Sequence, residues 1–461
     1  MKENKFEKAP SVSLSPPSGF LKEMEGTLGA AETVKLWEAI CASPTVSLRL
    51  NKKKMPDLTG LKERFSSFSP HEVDWCTSGV YLAERPDFKR DPLWHAGVYY
   101  VQEAASMFYE SLMKEILEEN SNLTDKRPLR VLDLCAAPGG KSTAMLNALE
   151  SDYVLVANEF DRKRCRILKE NLDKWGDPNV IVTNSDVKSF RRLKNYFDII
   201  AIDAPCSGEG MMRREPIAVS QWSPVLVEKC SLLQKDILGD ALPSLRSGGV
   251  LIYSTCTFNR RENEEICHFI EEEYDLKPVM EPRRFMPHLC DCEGLFVAAF
   301  RKEESLSGGP RPISQRKSHK KTRKISFPEE LNFLSRSDLS VRKWGDRFFL
   351  IPPAVAEVAD ILDDFSIPIA GGGVEAGKEK GTTIVPSSRQ VLSTLFRRDS
   401  LPLIEIDTDA ASAYLKGNPL VLPADVPKGF AAVEFEKQPL GLVKNVGNRA
   451  NNLFPPEWRT L

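Results

Sequence analysis

The sequence contains no run of about 18 apolar residues, the least that a bilayer-spanning helix needs. Its opening, MKENKFEKAP, lacks the apolar stretch of a secretory signal. The expectation is a cytoplasmic protein that meets no membrane. There is no excess of either charge, since 63 Lys and Arg face 65 Asp and Glu for a formal net charge of −2. Any nucleic-acid surface must therefore come from segregated charge. Cysteine is sparse and irregularly spaced, 10 in 461 residues, which excludes a disulfide scaffold and leaves each thiol to be read in its own setting. No internal repeat is present. With 27 Gly and 32 Pro, collagen-like and low-complexity chains are also excluded. What remains is a globular chain long enough, at about 150 residues per domain, for roughly three domains.

Residues 20 to 41, FLKEMEGTLGAAETVKLWEAIC, carry apolar side chains at mixed spacings of three and four, followed by the strand-like VSLRL and the run Lys52, Lys53, Lys54. This reads as a small α+β head. From Arg130 short apolar runs alternate with helical stretches: VLDLCA, GKSTAMLNALE, YVLVANE, DRKRCRILKENLDKW and NVIVTNSD. FDIIAIDAP, a helix from Pro224 to Leu245, a Ser-Gly-Gly turn, VLIYSTC, a helix around RENEEICHFIEEE and GLFVAAFRK continue the series. Such alternation predicts βαβ units around a parallel sheet, with GLFVAAFRK as an edge strand. Residues 303 to 326 lose apolar character and place seven Lys/Arg between Arg311 and Lys324 without an acid, the composition of an exposed basic linker. Beyond it lies an appended domain, in which IAGGGVEAGKEKG at 369 to 381 reads as a mobile loop. The predicted division is a head over 1–95, an α/β domain over 96–303, a linker over 304–326 and a C-terminal domain over 327–461.

The densest chemical signal is VLDLCAAPGGKST at 131 to 143, a buried strand running into Pro138-Gly139-Gly140 and a helix. Glycines there let a cofactor approach the amides of the helix N-terminus. A phosphate-binding P-loop fits poorly, because its first Gly would fall on Cys135 and Pro138 interrupts the nest. The next strand ends in Asn158-Glu159, about 20 residues on, where a doubly wound sheet presents a carboxylate to ribose hydroxyls. Asp186 and Asp203 close the two strands after that. Singly, such acids are commonly helix caps or turn formers, but three in register beside a Gly-rich turn point to a ligand. Cys206, in Pro-Cys-Ser-Gly-Glu-Gly, and Cys256, after LIYST, should emerge at the same carboxyl edge, a setting for nucleophilic chemistry. Cys135, Cys165, Cys230 and Cys267 read by their setting as small buried hydrophobes. His288-Leu289-Cys290-Asp291-Cys292 lacks a second ligand pair at zinc spacing, so no metal is expected.

Taken together, Tyr100-Val101-Gln102-Glu103-Ala104, Cys135 to Lys141, Asp203-Ala204-Pro205-Cys206-Ser207-Gly208, and Ser254-Thr255-Cys256-Thr257 with Glu262-Asn263-Glu264 resemble one family. It is that of the RNA 5-methylcytosine methyltransferases of the Nop/Sun type, in particular the bacterial branch acting on small-subunit ribosomal RNA. The tail, YLKGNPL at 414 to 420 and LGLVKNVGNRANNLFPPEWR at 440 to 459, resembles that branch's RNA-binding end, but has Ala450-Asn451 where a basic residue is more usual.

The resemblance implies a Rossmann-like S-adenosylmethionine methyltransferase core, an N-terminal RNA-binding head and a C-terminal PUA-like RNA-binding domain, acting as a monomer. It implies that Cys135, Ala136, Ala137, Pro138, Gly139, Gly140 and Lys141 hold S-adenosylmethionine, with Glu159 on the ribose, Asp186 near the adenine and Asp203 between cofactor and base. Cys256 of the Thr-Cys motif would be the nucleophile, Cys206 would assist product release, and Lys141 would favour the thiolate. A DNA methyltransferase, which attacks from a Pro-Cys motif, would give the primary role to Cys206 instead. Implied partners are RNA, small-subunit rRNA or the assembled subunit, with transfer RNA or a non-catalytic assembly role as alternatives. Arg49 with Lys52 to Lys54, Arg213-Arg214 and the cluster from Arg311 are the candidate RNA contacts.

Overall fold

The computed structural model describes residues 14–119, 127–150, 152–303 and 325–460; the Arg311 to Lys324 cluster lies outside them. At the centre stands a sheet built from β1 (Leu129–Asp133), β2 (Tyr153–Asn158), β3 (Val180–Thr183), β4 (Phe197–Asp203), β5 (Leu245–Thr255), β6 (Leu276–Pro278), β7 (Arg283–Phe285), β8 (Leu295–Lys302) and β9 (Ile369–Gly372). Its order is β6-β8-β5-β4-β1-β2-β3-β9, with β7 also on β8. β1 to β5 are parallel to one another, and the remaining pairings are antiparallel. Every residue of β2 and β3 is buried, because helices cover both faces and a strand so placed needs apolar side chains on each. α1 (Phe108–Glu119), α2 (Gly140–Ala148) and α3 (Arg162–Trp175) pack on one face; α4 (Pro224–Ala241), α5 (Glu264–Tyr274) and α6 (Pro353–Asp364) pack on the other.

Two sequence expectations are corrected here. GLFVAAFRK is not an edge: β8 bonds β5 on one side and both β6 and β7 on the other. Its six buried residues need cover along both flanks, and the covering strands are three residues each, too short to show a pattern. The segment at 369 to 381 is not a loop but β9, on the edge of the core sheet, followed by Val374–Lys380 between Arg347–Ile351 and Thr383–Pro386. Gly373 makes the corner at φ 61°, and a Cβ there would come within 2.6 Å of Leu350 O. The glycines thus serve close packing. The Ser247-Gly248-Gly249 turn likewise lies inside β5, at an irregularity in its pairing with β4.

The head comprises helices Phe20–Leu28 and Ala30–Cys41 and a four-stranded sheet ordered His71–Val73, Cys76–Leu82, Val46–Leu50, Tyr99–Val101. That last strand lies past residue 95. Arg49 and Lys52 to Lys54, expected as RNA contacts, have their charged ends engaged by the protein itself. Arg49 is fully buried and donates to Gln102 Oε1 (2.7 Å), Thr143 O (3.1 Å) and Thr143 Oγ1 (2.5 Å), with its guanidinium 4.8 Å from the Trp175 ring centroid. Lys52 pairs with Glu110 (2.6 Å), Lys53 with Asp177 (2.6 Å), and Lys54 donates to Ala96 O and Lys174 O (both 2.6 Å). Burial pushes Lys54 down to about 7. These cations clamp the head to the core. Removing the buried guanidinium leaves the acceptors on Gln102 and Thr143 unpaired, so Arg49→Leu is expected to cost about 3 kcal/mol or more in urea unfolding. Lys62→Leu, which cuts only an exposed pair with Glu72, should cost no more than about 1 kcal/mol. Equal losses for the two would contradict the clamp.

The C-terminal region carries the sheet containing Val374–Lys380 and a second one ordered Leu403–Glu405, Gly429–Phe435, Gln438–Asn445, Ala450–Asn452. Arg389 binds it to the core by pairing with Asp173 on α3 (2.6 Å), Glu375 (3.2 Å) and Glu457 (3.0 Å). Among the described residues no helix is long and apolar enough to cross a membrane.

Candidate active site

The strand order reverses at β1, whose neighbours are β2 and β4, and a crevice opens at the carboxyl ends where such a reversal occurs. β1 delivers Asp133 there, and the chain turns through Pro138 and Gly139 into α2. Gly139, at φ 110°, occupies the N-cap position without offering a side chain, so the first-turn amides of α2 are left open. The turn is held from behind: Asn171 Nδ2 and Tyr100 OH donate to Pro138 O (2.8 and 3.3 Å), and Arg164 donates to Ala137 O (2.8 Å). Ala136 N bonds Asn158 O (2.8 Å), tying the turn to β2. Burial, then the nearby Asp133, push the Cys135 thiol well up, so it is not an available thiolate.

Glu159 ends β2, almost wholly buried, accepting Asp161 N (2.8 Å) and facing Arg164 (3.2 Å). Asp186 follows β3, is exposed, and accepts Lys188 N (2.9 Å). Both acids therefore also shape local turns.

Asp133 is 1% exposed, receives Ser142 Oγ (2.6 Å), and is pushed by burial up to about 7. Because the folded value exceeds the ordinary 3.8, its contribution to stability is complete below pH 3.8 and disappears as pH rises through about 7. Asp133→Asn lacks this dependence. Urea unfolding should show the variant gaining about 2 kcal/mol on the wild type between pH 5.5 and 8. Parallel pH dependences would remove the assignment.

β4 and β5 end side by side, bringing Cys206 and Cys256 together with their Sγ atoms 3.2 Å apart. Above β4, Asp203 Oδ2 accepts Lys141 Nζ (2.8 Å) and Oδ1 accepts Ser254 Oγ (2.7 Å); Ser254 Oγ is also 2.9 Å from Tyr109 OH. Burial would lower the Lys141 ammonium, but Asp203 overrides it and holds it above the usual lysine value. The contact with Cys256, and then burial, hold the Cys206 thiol far above the usual value. The centre can thus present one thiol for attack beside a buried cation, with a second thiol adjacent.

Tyr109 was not singled out from the sequence, and Ser254 only within the motif Ser254-Thr255-Cys256-Thr257, without a role of its own. Strand alternation could have found Ser254, two residues before Cys256 and on the same face. Tyr109 carries no such signal; tertiary packing alone brings α1 to the site. Arg213 and Arg214, half-buried, are engaged within the protein. Arg213 donates to Ser43 O (2.6 Å) and Cys292 O (3.1 Å), Arg214 to Thr45 O (3.1 Å), and both lie near Glu293, joining head to core. His288 Nε2 meets Glu32 (3.3 Å), and among the described residues no group of three or more His, Cys, Asp or Glu could hold a metal ion.

A sheet of this order, with an open Gly-rich turn after β1, defines a Rossmann-like methyltransferase. Residues 121–301 match the family model described as 16S rRNA methyltransferase RsmB/F, residues 17–104 the N-terminal domain of 16S rRNA methyltransferase RsmF, and residues 402–460 the methyltransferase RsmF PUA domain. The chain belongs to this family of RNA methyltransferases. Ribosomal RNA small subunit methyltransferase F of Salmonella agona (strain SL483) is 29% identical over 476 residues, spanning 96% of each chain. Among solved structures, a methyltransferase homolog protein from Pyrococcus horikoshii is 26% identical, with a TM-score of 0.52 over 61% of this chain and 94% of that one. NSun6 from Pyrococcus horikoshii shares the fold at 20% identity and a TM-score of 0.52, over 63% of this chain and 99% of that one.

Proposed function

We propose that the protein transfers a methyl group from S-adenosylmethionine to carbon 5 of cytosine in small-subunit (16S) ribosomal RNA through a covalent cysteine adduct. The observation that carries this reading is the thiol pair, Sγ to Sγ 3.2 Å, beside the Lys141–Asp203 ion pair. The relatives named for small-subunit rRNA supply the substrate. The donor set fits the cofactor: open amides at the start of α2 suit its carboxylate, and the strand-end carboxylates of Glu159 and Asp186 suit ribose hydroxyls and the adenine side. Residues 135 to 141, Glu159 and Asp186 would hold S-adenosylmethionine, which supplies an electrophilic methyl group.

Carbon 5 of cytosine is a poor nucleophile. Addition of the Cys256 thiolate to carbon 6 converts the ring to an enamine whose carbon 5 can be alkylated. Lys141 favours that thiolate by charge, and Asp203, hydrogen-bonded at ring nitrogen 3, stabilises the adduct. Once Cys256 is bonded to the ring its contact with Cys206 is broken, and the foremost cause of the raised Cys206 value is gone. Cys206 can then give its proton to solvent and, as thiolate, take the proton from carbon 5; that electron pair forms the C5=C6 double bond, the C6–S bond breaks, and Cys256 leaves as thiolate as aromaticity returns. The target base must leave its stack to reach the thiols. We assign RNA holding to the head and the PUA domain, and read the enzyme as a cytoplasmic monomer. The test is transfer of labelled methyl to unmodified small-subunit rRNA, with nucleoside mass spectrometry. 5-Methylcytidine is expected; label in transfer RNA alone would replace the substrate, and label in neither would reject the reaction.

A further inference from the structure

Two fully buried carboxylates lie beneath the thiols and take no part in the chemistry above. Glu209 belongs to the loop of Cys206, and Glu262 to the segment after Cys256; both are 0% exposed. Glu209 reaches across to the other loop: Oε2 accepts Phe258 N (2.5 Å) and Asn259 N (3.0 Å), while Oε1 accepts Asn259 Nδ2 (3.0 Å) and Trp222 Nε1 (2.9 Å). Glu262 reaches back: Oε2 accepts Ser207 N (3.0 Å), the amide next to Cys206, and Gln234 Nε2 (2.8 Å), while Oε1 accepts Asn259 Nδ2 (2.8 Å). Gly210 N to Cys256 O (2.7 Å) and the Ser207–Thr257 hydroxyl contact (3.0 Å) complete the crossing.

All of these partners are donors, so each carboxylate is satisfied without a proton and would be mis-served by an amide. Burial pushes Glu262 up to about 7 against the pull of these bonds, a desolvation cost sustained at this one place. A loop tied only to itself could drift and carry its thiol with it. Here each thiol-bearing loop is fixed by a carboxylate rooted in the other, so the spacing of the two sulfurs is set by the straps.

We propose that Glu209 and Glu262 are reciprocal positioning residues, Glu209 holding the loop of the attacking Cys256 and Glu262 the amide beside the releasing Cys206, so that they govern opposite halves of the reaction. The proposal rests on the thiol roles given above. In single-turnover experiments Glu209→Gln should slow adduct formation by about tenfold or more, while Glu262→Gln should leave formation within about threefold and slow adduct decay by about tenfold or more. Affinity for S-adenosylmethionine should not change in either.

A second readout needs no RNA. Diamide oxidises two thiols to a disulfide, itself taking up two electrons and two protons to become the hydrazine, and the Cys206–Cys256 peptide pair is counted by mass spectrometry. Both Gln variants should join this pair about tenfold more slowly than the wild type. Should a Gln variant fail to fold, the Asp variant at that position keeps the charge, shortens the reach, and should show the same split at smaller amplitude. Oxidation at the wild-type rate in both, or equal loss of both half-reactions in each variant, would overturn the proposal. If the wild type formed no RNA adduct, the thiol roles would fall while the oxidation rates still reported the straps.

Discussion

Cys256→Ala is expected to abolish methyl transfer, lowering the single-turnover rate by about ten-thousand-fold or more while S-adenosylmethionine affinity stays within about threefold. The size follows from the chemistry, since without addition at carbon 6 the ring has no nucleophilic carbon 5 and no other group on the protein can create one. Cys206, 3.2 Å from the Cys256 sulfur, sits in the other loop and is assigned proton removal rather than addition at carbon 6, and the Cys135 thiol is pushed well up by burial, so neither is poised to substitute. Rapid-quench measurement with labelled cofactor reads this directly. More than about a hundredth of wild-type transfer in Cys256→Ala, with none in Cys206→Ala, would exchange the two roles.

Cys206→Ala should give the opposite outcome: an adduct that forms and persists. Addition depends on Cys256, Lys141 and Asp203, all retained, whereas removal of the carbon 5 proton loses its nearby base. A protein–RNA species stable to denaturing electrophoresis should accumulate to near one equivalent, and turnover should fall by about a hundredfold or more. The variant lacking both thiols should show no such band. Rapid release by Cys206→Ala would assign the carbon 5 proton to Asp203 or solvent and leave Cys206 without its role.

Much of this arrangement was readable in the chain. The alternation from Arg130 onward located β1 to β5, because strands buried on both faces need unbroken apolar runs, and the same reading placed Asp203, Cys206 and Cys256 at one edge. What was not readable was whatever depends on partners distant in sequence. Lys52 to Lys54 look like a basic patch until Glu110, Asp177 and the Lys174 carbonyl are brought to them. Arg213 and Arg214 look free until Glu293 arrives from 80 and 79 residues downstream. Tyr109, Glu209 and Glu262 act through hydrogen bonds that no spacing announces. The glycines of 369 to 373 were misread for the same reason: their use is close approach to another strand, and composition alone suggests freedom.

β9 makes the C-terminal region part of the catalytic architecture. Ile369–Gly372 zips onto β3, and just beyond β3 Asn184 N bonds Pro368 O while Asn184 Nδ2 holds Glu159 O and Phe160 O. The wall on which the cofactor's nucleoside half would rest is therefore completed by a strand made well after the other strands of the core sheet. A chain ended near residue 326 would leave the ladder of β3 unpaired, an adhesive edge open to other chains, with α6 missing from the face it covers. On the ribosome, the cofactor pocket can mature only after residues 353 to 372 have emerged, so recombination that swaps this C-terminal region must carry residues 353 to 372 with the core.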